Sequence, residues 1–457
     1  MDIVHIASEL APIAKVGGLG DVIYGLSKAL HKKGQAVTIM LPYYDCTDFS
    51  AIENLAAIGE PLKVKENGDS IPTKIWKGQF EDLNLILIDP AHPKGYFKRG
   101  VIYGEIDDND RFLFFCKACI TYLNDHKPDV IHLHDWPTAG AALLTNDMAR
   151  VVFTIHNLQH QGRCAPHNLH KLDIEVDEEE LSDHEYGEAL NLMRGAIARS
   201  DVITTVSPTY RDEILTDDCG CGLEDDLLDH KKKLKGILNG IDTQYWDPAT
   251  DPHLSQRYNK ESVHKGKAFN KQQVLQELGL KQSNQPLVCS ITRLVSQKGP
   301  DLILYGIEKS LELGGQFALL GSTPDEDLFE QLAEYENHPN VACSLTFNEP
   351  LSHKLYAASD MLLMPSIFEP CGISQLIAMR YGTIPLVRKT GGLKDTVKDE
   401  ETGFTFDIPD NKGVANVLQR AFDAYPTDEW SNLISRAMEQ DYSWDASAQK
   451  YIDLYED

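Results

Sequence analysis

Long hydrophobic runs are missing from this 457-residue chain. Nothing approaches the ~18 uninterrupted apolar residues that a membrane-crossing helix needs, so no helical span is expected. Cysteine is scarce: nine residues, scattered and odd in number, argue against a disulfide framework and for a reduced, cytoplasmic chain. The opening MDIVHIASEL has no basic stretch and alternates like a strand, which argues against a signal peptide. Positive charge is in deficit too, with 43 Lys and Arg against 70 Asp and Glu. The net charge of −27 repels nucleic acid and anionic membranes, so neither is an expected partner. What is there is the composition of a globular protein, 42% hydrophobic and 25% charged. The length exceeds what one core supports and suits two large α/β domains.

Short β-rich runs alternate with amphipathic stretches. The first half offers 3–8, 36–41, 83–89, 129–134, 151–156 and 201–207 as strands; the second offers 286–292, 317–321, 341–347, 361–366 and 383–388. Runs apolar on both faces suit a parallel sheet covered by helices. Between the first two, Asp21 is placed to cap a helix presenting Ile23, Leu26, Ala29 and Leu30 and stopping at Gly34. The doubly wound pattern occurs twice. NGIDTQYWDPATDP (239–252) interrupts it, giving expected domains at 1–240, joined by a C-terminal helix at 441–457, and at 241–440. A short echo links the halves: KVGGLGD (15–21) and KTGGLKD (389–395), each after a predicted strand. The acidic segment 174–188 reads as a solvated helix or loop.

In doubly wound sheets ligands bind beyond the carboxyl ends of the strands. That rule selects the Lys15, Gly17, Gly18, Gly20 loop; Asp135; His156 with Asn157; Arg293 and Lys298; Glu369; and Thr390, Gly391 and Gly392. Contributions from both halves point to a cleft between two facing domains. The Lys15 loop can cradle phosphate, because glycines admit a close backbone and N–H groups at a helix start bind oxyanions. An ordinary Gly-rich turn is the plain alternative, since the spacing matches neither common phosphate-binding fingerprint. Arg293 and Lys298 can neutralise a leaving diphosphate, a donor of this kind being worth roughly 3–4 kcal/mol; a solvated basic loop is the alternative. Exposed charges are screened over about 8–10 Å, so such local cations can override the acidic global field. Glu369 opens a helix, where it can bind sugar hydroxyls or face positive charge at an anomeric carbon, or simply answer the helix dipole. His132 and His134 share a strand face, with Asp135 opposite unless the strand has ended. A metal there would need further ligands that the sequence does not mark, and Cys219-Gly-Cys221 lacks a second pair.

Together KVGGLGD (15–21), HLHDW (132–136), TIHNLQHQG (154–162), ILNGIDTQYWDPATD (237–251), SITRLVSQKG (290–299), PSIFEPCGISQL (365–376) and YGTIPLVRKTGGLKDTV (381–397) resemble the bacterial glycogen synthases and plant starch synthases. These are retaining glucosyltransferases of glycosyltransferase family 5, with the GT-B architecture of two Rossmann-like doubly wound domains across a deep cleft. The resemblance implies ADP-glucose as donor, with UDP-glucose left open, and the non-reducing end of an α-1,4-glucan as acceptor. It implies that Lys15, Arg293 and Lys298 contact the donor's phosphates, that Asp135 and Glu369 take part in catalysis, and that His156 lies near the transferred sugar. Its binding positions further take in Gly18, Asp21, Asn157, Asn239, Cys371, Gly372, Thr390, Gly391 and Gly392. Phe347 stands where a tyrosine commonly stacks on adenine, and Tyr96 lies in a segment like the family's loop before DNDRF (108–112). Neither a metal nor a cofactor is implied.

Departures from the family pattern are Val16 for threonine or serine, Ile373-Ser374 for Leu-Thr, and Phe347 for tyrosine; Phe347 can still stack. No carbohydrate-binding extension is expected before Met1. In the implied reaction the acceptor's 4-hydroxyl attacks the anomeric carbon as ADP departs, behind a closure that expels water.

Overall fold

The computed structural model describes residues 1–183, 186–323, 325–346 and 348–456. The chain divides into two compact units: Met1–Gly240 together with Trp444–Asp457, and Ile241–Ser443.

In the first unit the strands are β1 (Asp2–Ile6), β2 (Ala36–Pro42), β3 (Glu53–Glu66), β4 (Asp69–Phe80), β5 (Leu83–Pro90), β6 (Val130–His134), β7 (Arg150–Ile155), the small ribbon β8 (Arg163–Cys164) with β9 (Leu190–Asn191), β10 (Val202–Thr205) and β11 (Leu234–Gly236). The main sheet runs β11-β10-β7-β6-β1-β2-β5-β4-β3. It is parallel from β11 to β5, with an antiparallel margin where β4 joins β5 and β3. The parallel strands are buried on both faces, which is why they read as near-continuous apolar runs. From β1 the chain first builds outward through β2, then returns to place β6 on the other side. The gap between β1 and β6 is therefore the switch point of this sheet.

The β3–β4 hairpin was not anticipated from the sequence. Its strands are largely exposed and carry Pro61 and Gly59, so neither an apolar run nor a clean alternation marks them. The signal that would have found it is Asn67-Gly68, both at positive φ (52° and 79°), the turn chemistry of a tight hairpin.

The helix Gly18–Lys32 packs Ile23, Leu26, Ala29 and Leu30 inward and ends before Gly34, whose φ of 85° suits a helix stop. Its cap is Gly17, not Asp21, because the helix starts one turn earlier than the apolar pattern suggests. The C-terminal helix Trp444–Glu456 lies on this helix. A Cβ at Gly25 would sit 2.0 Å from the indole nitrogen of Trp444, so only glycine leaves room for the ring.

The second unit holds β12 (Leu287–Arg293), β13 (Gln316–Ser322), β14 (Val341–Ser344), β15 (Met361–Met364), β16 (Ile384–Arg388) and β17 (Phe404–Phe406), all parallel in the order β14-β13-β12-β15-β16-β17. Here the switch point lies between β12 and β15. Among the described residues no helix is long and apolar enough to cross a membrane. All nine cysteines are free thiols.

Candidate active site

In the first unit the nominated side chains gather at the β1/β6 switch point. Strand β6 ends at His134, so Asp135 does not follow the strand alternation. It takes φ 56°, an unusual conformation for a residue with a side chain, and caps the helix Trp136–Ala142. Its Oδ1 accepts the N–H of His156 at 2.7 Å and that of Asn157 at 3.3 Å. Burial pushes the Asp135 carboxyl up to about 7, even though those two N–H groups favour the charged form.

The loop after β1 differs from its sequence reading in one respect. The N–H groups of Val16 and Gly17 donate to the Glu9 carboxylate at 2.7 and 2.8 Å, so an internal anion already occupies them. Tyr103 holds the other Glu9 oxygen at 2.9 Å. Lys15 pairs with Asp21 at 2.8 Å. Gly17 and Gly18 are open, with nothing within 4 Å of the space a Cβ would fill. Glu9 escaped the sequence reading although the rule applied to Lys15 reaches it: an acid directly beyond β1 and almost fully buried.

A row of imidazoles runs behind Asp135. Parallel register sets His5 of β1 beside His132 of β6, and alternation brings His134 to the same face. His5 Nδ1 lies 2.9 Å from His134 Nε2, and His134 Nδ1 lies 3.1 Å from His156 Nε2. His132 makes separate contacts, to Tyr455 at 2.7 Å and to Thr154 at 2.6 Å. Burial takes His5 and His156 down to about 3, and holds His132 and His134 well below the ordinary imidazole value. His5, His132 and His134 are close enough to hold a metal ion. Both nitrogens of His132 and of His134, however, already have protein partners.

In the second unit Lys298 Nζ meets Glu369 Oε2 at 2.5 Å across the β12/β15 switch point, and Ser366 donates to the same oxygen at 3.0 Å. The loops carrying them are locked together. Ile367 N–H donates to Gln297 at 2.8 Å, and Gly299, at φ 65°, leaves its Cβ space 2.7 Å from the Pro365 carbonyl. Arg293 ends β12 and is exposed, and among the described residues no carboxylate pairs with it. Thr390 caps the short helix Gly391–Thr396. Gly392 N–H donates to the Glu369 carbonyl at 3.1 Å. A Cβ at Gly391 would lie 1.8 Å from that carbonyl oxygen, and one at Gly392 2.2 Å from the Cys371 carbonyl oxygen. Cys371 is buried, and Gly372 turns at φ 72°, its carbonyl and that of Cys371 held by Gln375.

Tyr96, Asn239 and Phe347 complete the nominated set. Tyr96 has no exposed surface; its hydroxyl donates to Glu66 at 2.9 Å and its ring stacks on His92. It serves a buried cluster, next to a cavity of about 610 Å³ that shares Glu66 and His92 and none of the nominated residues. Asn239 is buried, and its Oδ1 has no partner among the described residues. Phe347 lies outside the described residues.

A sucrose-phosphate synthase from Thermosynechococcus elongatus, 18% identical, covers the whole chain with a TM-score of 0.63 and shares the fold. Two Rossmann-like units whose polar loops collect at their switch points are the GT-B architecture. A model described as "Starch synthase catalytic domain" matches residues 2–229, and one for "Glycosyl transferases group 1" matches 272–438. A glycogen synthase of Protochlamydia amoebophila is 40% identical over 100% of this chain and 99% of its own. The probable starch synthase 4 of Arabidopsis thaliana is 45% identical over 99% of this chain, which spans 46% of that protein's length. The catalytic domain of starch synthase IV from the same plant, solved with ADP and acarbose, superposes with a TM-score of 0.95 at 44% identity, covering 99% and 98% of the two chains. The chain belongs to the glycogen and starch synthase family of glucosyltransferases.

Proposed function

We propose that this chain transfers glucose from ADP-glucose to the 4-hydroxyl at the non-reducing end of an α-1,4-glucan, with retention of configuration. The second unit carries the nucleotide-sugar and the first carries the glucan. The observation that supports this most is the Lys298–Glu369 pair, fixed at 2.5 Å at the switch point where a doubly wound unit takes its ligand. Lys298 and the exposed Arg293 offset the charge that builds on the departing diphosphate. Lys15 is assigned to the same phosphates. Glu369, held by Lys298 and Ser366, faces the positive charge that develops at the anomeric carbon, and Asp135 and His156 position the sugar.

As the bond from the anomeric carbon to the phosphate oxygen breaks, a bond to the acceptor oxygen forms, and the departing phosphate takes the hydroxyl proton on the same face. Neither carboxylate is assigned as a nucleophile. Support for the donor and acceptor comes from the plant starch synthase that holds ADP and acarbose. Free thiols throughout suit a reducing cytoplasm.

The test is incubation with glycogen and ADP-glucose or UDP-glucose, following nucleotide release and polymer growth together. ADP released in step with new α-1,4 linkages is the expected result. Release without growth, preference for UDP-glucose, or a β linkage would each overturn the corresponding part.

A further inference from the structure

The row formed by His5, His134 and His156 has two ends. The inner end is His5 Nε2, buried without a hydrogen-bond partner among the described residues. The outer end is His156 Nδ1, on a residue that is only half-buried and whose Nε2 is already turned to His134. Each nitrogen-to-nitrogen contact needs one proton between its two atoms. Three neutral rings carry three ring protons, two of which fill the two contacts. The third must sit at one end or the other.

At the inner end it would make an N–H with no acceptor in the middle of the sheet, the rarer kind of orphan in folded proteins. At the outer end it makes an N–H that a ligand or water can accept, and only a lone pair is left orphaned inside. The second arrangement is therefore favoured. His5 Nδ1 donates to His134 Nε2, His134 Nδ1 donates to His156 Nε2, and His156 Nδ1 carries the last proton. Neutrality of all three rings agrees with the burial that depresses their basicity.

We propose that His5 and His134 are positioning residues that lock His156 in its Nδ1-protonated form, so that it presents a hydrogen-bond donor to a hydroxyl oxygen of the transferred glucose. The inference rests on the placement of His156 beside the donor sugar proposed above. It adds that the ring acts there as a donor and not as an acceptor, and that two buried residues with no contact to the sugar decide this. The Oδ1 atom of the neighbouring Asp135 is taken by the backbone N–H groups of His156 and Asn157.

The experiment uses the whole chain labelled with ¹⁵N-histidine. Expected are a protonated Nδ1 and a bare Nε2 on His156, with scalar couplings across both nitrogen-to-nitrogen contacts. Absent couplings, or a proton on His156 Nε2, would overturn the relay whatever happens to activity. His5→Leu, which removes the inner donor, is expected to lower kcat about tenfold while KM for ADP-glucose stays within about twofold. His5→Asn returns an amide N–H near the lost Nδ1 and should recover most of that kcat. Equal turnover by the two variants would count against the relay, and so would a His156 tautomer that does not respond to His5→Leu. His156→Ala separates the two layers: an intact kcat in that variant would remove the role of His156 itself, and the functional meaning of the relay with it.

Discussion

The two glycine-rich loops that echo each other in sequence, KVGGLGD at 15–21 and KTGGLKD at 389–395, behave as opposites in the folded chain. Each follows a parallel strand and opens a helix. Around Gly17 and Gly18 there is empty space, whereas Gly391 and Gly392 are pressed against the Glu369 and Cys371 carbonyls. The lysines differ as well: Lys15 is tied to Asp21 at 2.8 Å, Lys389 only to Asp407 at 3.4 Å. One loop leaves the space beside its glycines open; the other fills it with its neighbours' carbonyls. The shared letters therefore do not fix what lies beside them.

The contrast can be broken most decisively at Gly391. With φ at 43° and a carbonyl 1.8 Å from the added carbon, Gly391→Ala should destabilise the second unit by about 3–4 kcal/mol, read by urea unfolding. An unchanged midpoint would erase the distinction between the loops. Next in size, Arg293→Ala and Lys298→Ala should each cut kcat by at least ~100-fold with the far-UV spectrum retained, and near-normal turnover would remove the phosphate assignment.

A smaller effect of defined sign belongs to Asp135. Its folded pKa, near 7, lies above the ordinary carboxyl value of 3.8, so the native state holds more protons than the unfolded state between those limits. Stability from this group is present below that window and lost as pH rises through it. Asp135→Asn should accordingly raise Tm at pH 8 by about 2–4 °C, discounted for the water that reaches the half-buried group, and change it little at pH 4. A fall at pH 8 would contradict the desolvated carboxyl. Gly18→Ala, in the open loop, should move stability by no more than about 0.5 kcal/mol while raising KM for the donor. Excess EDTA closes the series: turnover should not change, and a Mg²⁺-reversible loss would call for a cation in the reaction.

Much of this was legible from residues alone, and the reasons are local. Parallel strands buried on both faces announce themselves as apolar runs, so β1, β2, β6, β7, β12, β15 and β16 were all placed within a few residues. The switch-point rule then led to Lys298 and Glu369, which lie 71 positions apart and meet at 2.5 Å. The β3–β4 hairpin stayed hidden because exposed antiparallel margins leave no apolar signature. The role of Glu9 stayed hidden because a carboxylate filling its own loop looks, in sequence, like any acid near a phosphate loop. Asp21 misled as a helix cap because a capping carboxylate and a lysine partner one turn away present the same letters. Tyr96 was drawn in by the resemblance of its segment, whereas its depth depends on Phe97, Phe114 and His92 packing around it, which no spacing rule conveys.

The slot at Gly25 has a consequence for how the molecule is made. The indole that fills it belongs to residue 444, and the hydroxyl that meets His132 belongs to residue 455. A ribosome delivers the nine-stranded sheet before the second unit and these two groups after it. Throughout synthesis of the second unit the first therefore waits without the Trp444 ring in its slot and with the Tyr455 side of His132 unfilled, and its consolidation is timed by the arrival of the helix Trp444–Glu456.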